Sequence, residues 1–514
     1  MKQFVCTAFD PVVETKEGKL RGFRYGEIYH FLGIKYANAR RFRMPERVTP
    51  WEGVKDALQF GEVCPLIEPE KIMDDITIPH RCWAKNEDCQ YLNVWTPTLD
   101  SGAKKPVLVW IHGGGYTAGS SIELVAYDGE NLAEFGDIVV VSLNHRLNLL
   151  GYLDLSSYGE RYWNTANLGQ ADIVTALEWV RDNISRFGGD PDKVTVYGQS
   201  GGGGKVHSLL QTPAADDLFR GAIIQSGMWR EFGFTHGDPG EQRELAEAMI
   251  AHLGGSGPEC LETAPYDALA GAYRAVVPAL ADRGIRTGLA PLPNDWYLGS
   301  SLDRDFTAAA LRRPVLVGTT FGEFNCMFMP QKDKYRQTEE EKMAAIRNRF
   351  GDNAQRVLSL FRRAYPEKDI SDCVMMDSFF RAPALEFCEK RAAMGSQNTF
   401  AYVHTPDYTY NGGAAAWHSA DIVYAFHNME KVPVAHIPCG ERLQEQTAGA
   451  WVNFVRTGDP SHPSLPKWRP YTAEDRATMV LNEDSGMRVD FDRELVALLE
   501  ELVPFPRRGG QRKG

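Results

Sequence analysis

The segment from Lys193 to Gly204 constrains the fold of this chain more than any other. Its first part, Lys193 to Tyr197, is a β-type run. It passes directly into Gly198-Gln199-Ser200-Gly201-Gly202-Gly203-Gly204, which contains Gly-x-Ser-x-Gly. Glycines two residues either side of the serine remove Cβ atoms that would collide in a tight strand-to-helix turn. A serine on such a turn presents its hydroxyl clear of the backbone. The five-residue pattern alone also fits a glycine-rich loop with an incidental serine, so the rest of the chain decides.

Apolar runs recur at 107–111, 138–143, 194–197, 221–225, 314–318 and 399–403. Continuous runs of this kind fit strands buried on both faces, as in a parallel sheet covered by helices. Between the second and third, Ile173, Val174, Leu177, Val180 and Ile184 recur at helical spacing, with Glu178, Arg181 and Asp182 on the other side. Phe187-Gly188-Gly189 supplies the stop. Strand–helix alternation predicts a doubly wound α/β architecture. Segments 237–313 and 331–397 are helix-like and charged, and read as insertions walling a gorge. Within them, Glu339-Glu340-Glu341-Lys342 reads as a solvated helix face. A length of 514 residues suggests about three domains as a prior. The motifs described below need each other from residue 87 to 460, which predicts one catalytic unit spanning 1–514.

Composition excludes some partners. A net charge of −12 disfavours nucleic acid and anionic membranes. No apolar run reaches membrane-spanning length. Met1 to Leu20 lacks the apolar core of a secretory signal. The nine cysteines include no Cys-x-x-Cys, so neither a structural zinc site nor another metal or cofactor is expected. A cytoplasmic location with reduced thiols follows as the expectation. The basic, glycine-rich stretch from Arg507 to Lys513 reads as disordered.

A serine hydroxyl needs an imidazole base, usually a carboxylate to orient that base, and N–H donors for the oxyanion. Trp110-Ile111-His112-Gly113-Gly114-Gly115-Tyr116 follows the first strong strand and offers unobstructed N–H groups. Gly114 and Gly115, with Gly201 as third donor, are the candidate oxyanion hole.

At this point the chain resembles the type B carboxylesterase family, which includes cholinesterases and bacterial para-nitrobenzyl esterases. The matching residues are Glu87 to Trp95, the glycine triplet, Asn144-His145-Arg146-Leu147 and Asn167 to Asp172. Phe187 to Pro191, Gln225-Ser226-Gly227 and Thr457-Gly458-Asp459-Pro460 complete the set. The likeness is dense from about residue 10 to 230 and patchy afterwards. It implies an α/β-hydrolase fold, a mostly parallel central sheet flanked by helices, with helical insertions around the active-site gorge. It also implies the acid and base. Trp417-His418-Ser419-Ala420-Asp421 is similar to the family's histidine motif and points to His418. Gly318-Thr319-Thr320-Phe321-Gly322-Glu323-Phe324 aligns Glu323 with the family's acid, although Gly322 and Phe324 replace its usual Asp and Gly neighbours. Ser226 resembles a serine of the family that stands near the acid; an ordinary turn serine would look the same. His404, His427 and His436 read as structural. Cys64 and Cys89 resemble the family's first disulfide pair, which in a reducing compartment stays open.

Two departures stand out. The family commonly has Glu before the nucleophile and Ala after it; here they are Gln199 and Gly201. Losing that carboxylate weakens support for a cationic imidazole or substrate, which argues against choline esters. Trp229, Phe232, Phe321, Phe324, Met327 and Phe328 flank the candidate site and are pocket or core residues. The expected activity is hydrolysis of small to medium apolar esters through an acyl-enzyme, with Ser200, Glu323 and His418 as triad. An amidase, carbamate hydrolase or lactonase on the same fold is the alternative. A non-catalytic binding protein is a further one, although such relatives typically lack a triad member.

Overall fold

The computed structural model describes residues 2–68, 79–230, 240, 242–328 and 333–503. Phe232 and the stretch 507–513 lie outside them, as do the side chains of Met327 and Phe328.

Twelve strands form one sheet: β1 (Phe4–Val5), β2 (Phe23–Tyr25), β3 (Ile28–Lys35), β4 (Tyr91–Thr96), β5 (Lys105–Ile111) and β6 (Val139–Leu143), then β7 (Gly189–Gln199), β8 (Gly221–Gln225), β9 (Val315–Thr320), β10 (Thr399–His404), β11 (Ala477–Leu481) and β12 (Gly486–Val489). Their spatial order is β1-β2-β3-β4-β6-β5-β7-β8-β9-β10-β11-β12. The seven strands from β6 to β11 in this order run parallel. β1 to β4 and β12 add antiparallel edges. All six apolar runs fall in the parallel part. The reason is visible at β5, where Val107 to Ile111 show no exposed surface on either face. Each such side chain contributes about 1.5–3 kcal/mol through burial.

Helix α1 (Leu168–Asn183) lies on the sheet with Ile173, Val174, Leu177 and Val180 buried and Arg181 exposed. Its extension ends at Gly188, which takes the left-handed conformation at φ 74°. Helix α2 (Gly201–Leu209) starts one residue after Ser200 and is buried throughout.

The first insertion supplies helices Arg243–His252 and Tyr266–Asp282. They build a second apolar cluster, in which Leu245, Met249 and Leu269 join Tyr116, Leu149 and Tyr152. The insertion therefore roofs the residue that follows the glycine triplet. In the second insertion, Thr338 and Glu341 cap helix Glu339–Phe350 reciprocally. Glu339, Glu340 and Glu341 are exposed as expected. Lys342 is not: it is buried, and its ammonium meets Asp369 at 2.6 Å. Helix α3 (Arg381–Ala393) follows, with Phe379 and Phe380 at its entrance.

Candidate active site

β7 delivers Ser200 to the carboxyl edge of the parallel strands, where open α/β sheets hold their sites. Ser200 sits at φ 54°, ψ −129°, a conformation that costs a non-glycine residue about 1–3 kcal/mol. The sharp elbow is held by two bonds. Ser200 N donates to the Gln225 carbonyl at 2.9 Å, and Gly204 N donates to the Ser200 carbonyl at 3.0 Å. The glycine run exists because other backbone fills the space of its side chains. A Cβ on Gly202 would collide with the Ile111 carbonyl, and one on Gly201 with the Gly115 backbone. A Cβ on Gly204 would strike the Trp229 indole.

The glycine loop leaves β5 at His112 and packs on this elbow. A Cβ on Gly113 would stand 3.4 Å from the Ser200 Cβ and 3.1 Å from the Gln199 carbonyl. Gly114 and Gly115 take φ of 83° and 65°, open to glycine. Ala118 N closes the turn onto the Gly114 carbonyl at 3.0 Å. Gly114, Gly115 and Gly201 are thus brought together beside Ser200.

β9 presents Glu323, itself at φ 42° and fully buried. Its Oε1 accepts from the Ser226 hydroxyl at 2.6 Å and from Thr320 N at 2.7 Å. Its Oε2 contacts His418 Nδ1. The backbones meet as well, with His418 N donating to the Glu323 carbonyl at 3.2 Å. The structure thus brings Glu323, His418 and Ser226 together. The far nitrogen of the imidazole, Nε2, lies 3.2 Å from the Gln199 side-chain amide. Gln199 therefore touches His418 directly. His418 packs against two rings that also touch each other, Phe324 at 4.3 Å and Phe380 at 4.9 Å between centroids.

Two further carboxyls surround Glu323. Burial, with the Glu323 charge adding to it, pushes Asp377 up to about 8. Asp377 accepts from Phe380 N at 2.8 Å and Arg381 N at 3.1 Å, which caps α3 and fixes Phe380. Burial likewise pushes Asp421 up to about 6, while the Tyr402 hydroxyl donates to it at 3.0 Å.

The aromatic wall differs from the expected set. Phe324 and Trp229 belong to it: Trp229 pairs edge-on with Phe380 at 6.1 Å and with Tyr116 at 6.3 Å. Phe321 does not. Its ring pairs with Tyr365 at 5.2 Å and Phe361 at 6.3 Å in the main apolar core, so it is core. Phe379, Phe380 and Tyr116 were missed; the Asp377-Ser378 cap before an aromatic pair is the signal for the first two. His404 is structural, with Nε2 3.0 Å from the Tyr408 hydroxyl and burial pushing it down to about 3. Cys64 and Cys89 are buried free thiols.

A strained serine elbow, a glycine loop packed on it and a Glu–His pair from beyond the next strands, on a mostly parallel sheet, define an α/β-hydrolase. More narrowly, the chain belongs to the carboxylesterase family, whose model matches residues 9–497. It is 33% identical to the para-nitrobenzyl esterase of Bacillus subtilis (strain 168), over 94% of this chain and 96% of that one. It is 31% identical to the phenmedipham hydrolase of Pseudarthrobacter oxydans, over 93% and 96%. Among solved structures, an esterase from Clostridium hathewayi, described as able to hydrolyse aliphatic aromatic polyesters, superposes with a TM-score of 0.94. It is 46% identical and covers 98% of this chain and 100% of its own. A Geobacillus stearothermophilus carboxylesterase superposes at 0.74, with 32% identity and coverage of 95% and 99%. The chain is a carboxylic ester hydrolase. Among the described residues, no helix is long and apolar enough to cross a membrane, and no cluster of three or more His, Cys, Asp or Glu could hold a metal.

Proposed function

We propose that Ser200, His418 and Glu323 are the reacting triad of this ester hydrolase. The observation that carries the reading is the continuous link from Glu323 through the His418 ring to the elbow at Gln199. Glu323 accepts a hydrogen bond from His418 Nδ1–H, which fixes the tautomer that presents Nε2 as the base. Ser200 attacks the ester carbonyl as its proton passes to Nε2. N–H groups of Gly114, Gly115 and Gly201 hold the oxyanion of the tetrahedral intermediate. His418 then returns the proton to the leaving alcohol. A water activated by His418 releases the acid from the acyl-enzyme.

The substrates are small to medium apolar esters, aromatic ones included. Tyr116, Trp229, Phe324 and Phe380 form a continuous ring surface up to His418, which supports this reading. The polyester-cleaving neighbour supports it too. The chain works as one catalytic domain with two helical insertions.

The test is turnover of p-nitrophenyl butyrate by wild type and Ser200→Ala. A loss of at least about 10³-fold is expected, as for other nucleophile deletions. Equal turnover overturns the triad.

A further inference from the structure

Lys205 follows the four glycines on α2 and has no exposed surface. Its Nζ donates to the His112 carbonyl at 3.1 Å. That carbonyl is the last peptide oxygen before the glycine triplet, and Gly113 packs directly against Ser200. The same helix face carries Gly202, one turn earlier, seated on the Ile111 and His112 carbonyls. The helix that begins at the serine thus grips the root of the glycine loop at two points.

A buried ammonium is expensive, and a methionine of similar shape fills such a space at far lower cost. Burial pushes the amine down to about 7, opposed by Glu123 and Cys64. The other groups facing it are His112 and His145, stacked at 5.0 Å, and the Tyr116 ring at 6.0 Å. Burial and the nearby Lys205 push both imidazoles down, so they stay neutral. The amine donates a hydrogen bond in both protonation states and a stronger one when charged.

We infer that Lys205 is a positioning residue for the oxyanion loop: its Nζ, held on the His112 carbonyl, fixes the path by which Gly113, Gly114 and Gly115 reach the elbow. Lys205 touches no reacting atom and acts through the loop. The inference rests on the proposed site.

Lys205→Met removes the donor and keeps the bulk. Fluorophosphonate titration counts the folded, reactive sites, and kcat per titrated site is then measured with p-nitrophenyl butyrate from pH 6 to 9. Loss of positioning lowers kcat about tenfold or more while KM stays within about twofold, since the loop acts on the transition state. The wild-type to variant ratio of kcat falls as pH rises through neutrality, because the wild-type bond loses its charge. A purely structural lysine leaves that ratio flat. A kcat per site within about twofold of wild type, or a flat ratio, overturns the inference. Ser200→Ala run in parallel separates the two failures. If it retains turnover the site reading falls, whereas an inactive Ser200→Ala beside an unaffected Lys205→Met overturns only the role of Lys205.

Discussion

At the scale of single residues, chemistry turns on what touches His418. Gln199 is neutral where the family commonly has Glu. A carboxylate at this position, 3.2 Å from Nε2, stabilises the imidazolium. Gln199→Glu is therefore expected to raise the acid limb of kcat/KM by about one pH unit. An unmoved limb in a pH–rate profile contradicts the contact. Glu323→Gln keeps the shape but lets the wrong tautomer form, and a drop of about 10⁴ in kcat is expected from comparable triads. Steady-state kinetics on the purified variant check it. These residues were legible in the sequence to different depths. Ser200 was marked by local glycine spacing, which alone fits an incidental loop serine equally well, and the glycine triplet upstream singled it out. Glu323, just past β9, and His418, in the stretch beyond β10, come together across 95 positions of sequence, so only the family likeness located them. Lys205 carried no signal, because burial of a lysine is a tertiary fact.

At the scale of elements, the elbow is a junction where three backbones meet. Gly202 of α2 lies against the end of β5, so Gly202→Ala forces strand and helix apart. Overpacking of this kind typically costs about 1–3 kcal/mol, and against rigid backbone the upper end is expected. A denaturant midpoint equal to wild type contradicts that packing. Helix α3 shows a different coupling. Asp377 caps it, places Phe380 on His418 and is itself raised to about 8 by burial. Its folded value lies above the ordinary carboxyl value, so its contribution is present below about pH 4 and is lost as pH rises towards 8. Asp377→Asn keeps the acceptor and removes the titration. Its melting temperature relative to wild type is expected to rise from pH 5 to pH 8. A pH-independent difference contradicts the assignment. The parallel strands were readable because burial on both faces demands unbroken apolar runs. β1 and β2 were not, since short antiparallel edges such as Phe23–Tyr25 are half-exposed, and in the longer, largely buried β3 and β4 polar residues such as His30 and Asn93 interrupt the apolar run.

At the scale of the whole molecule, the sheet and both insertions converge on one site. Tyr116 links the glycine loop to the apolar cluster of the first insertion, and Phe380 brings the second insertion onto His418. We propose one cooperative unit. Esterase activity and tryptophan fluorescence are expected to fall together in urea. Two separated transitions contradict a single catalytic domain. The insertions were visible in the sequence only as charged helical stretches, because which face of a helix closes a gorge depends on the partner it packs against. The central claim is that the strained serine at the elbow is the atom that attacks. Phosphonylation by a fluorophosphonate ester, followed by peptide mass mapping, tests this most directly. Stoichiometric modification at Ser200 in wild type, absent from His418→Ala, is the predicted result. Modification elsewhere, or a hydrolysing enzyme left unmodified at Ser200, contradicts it.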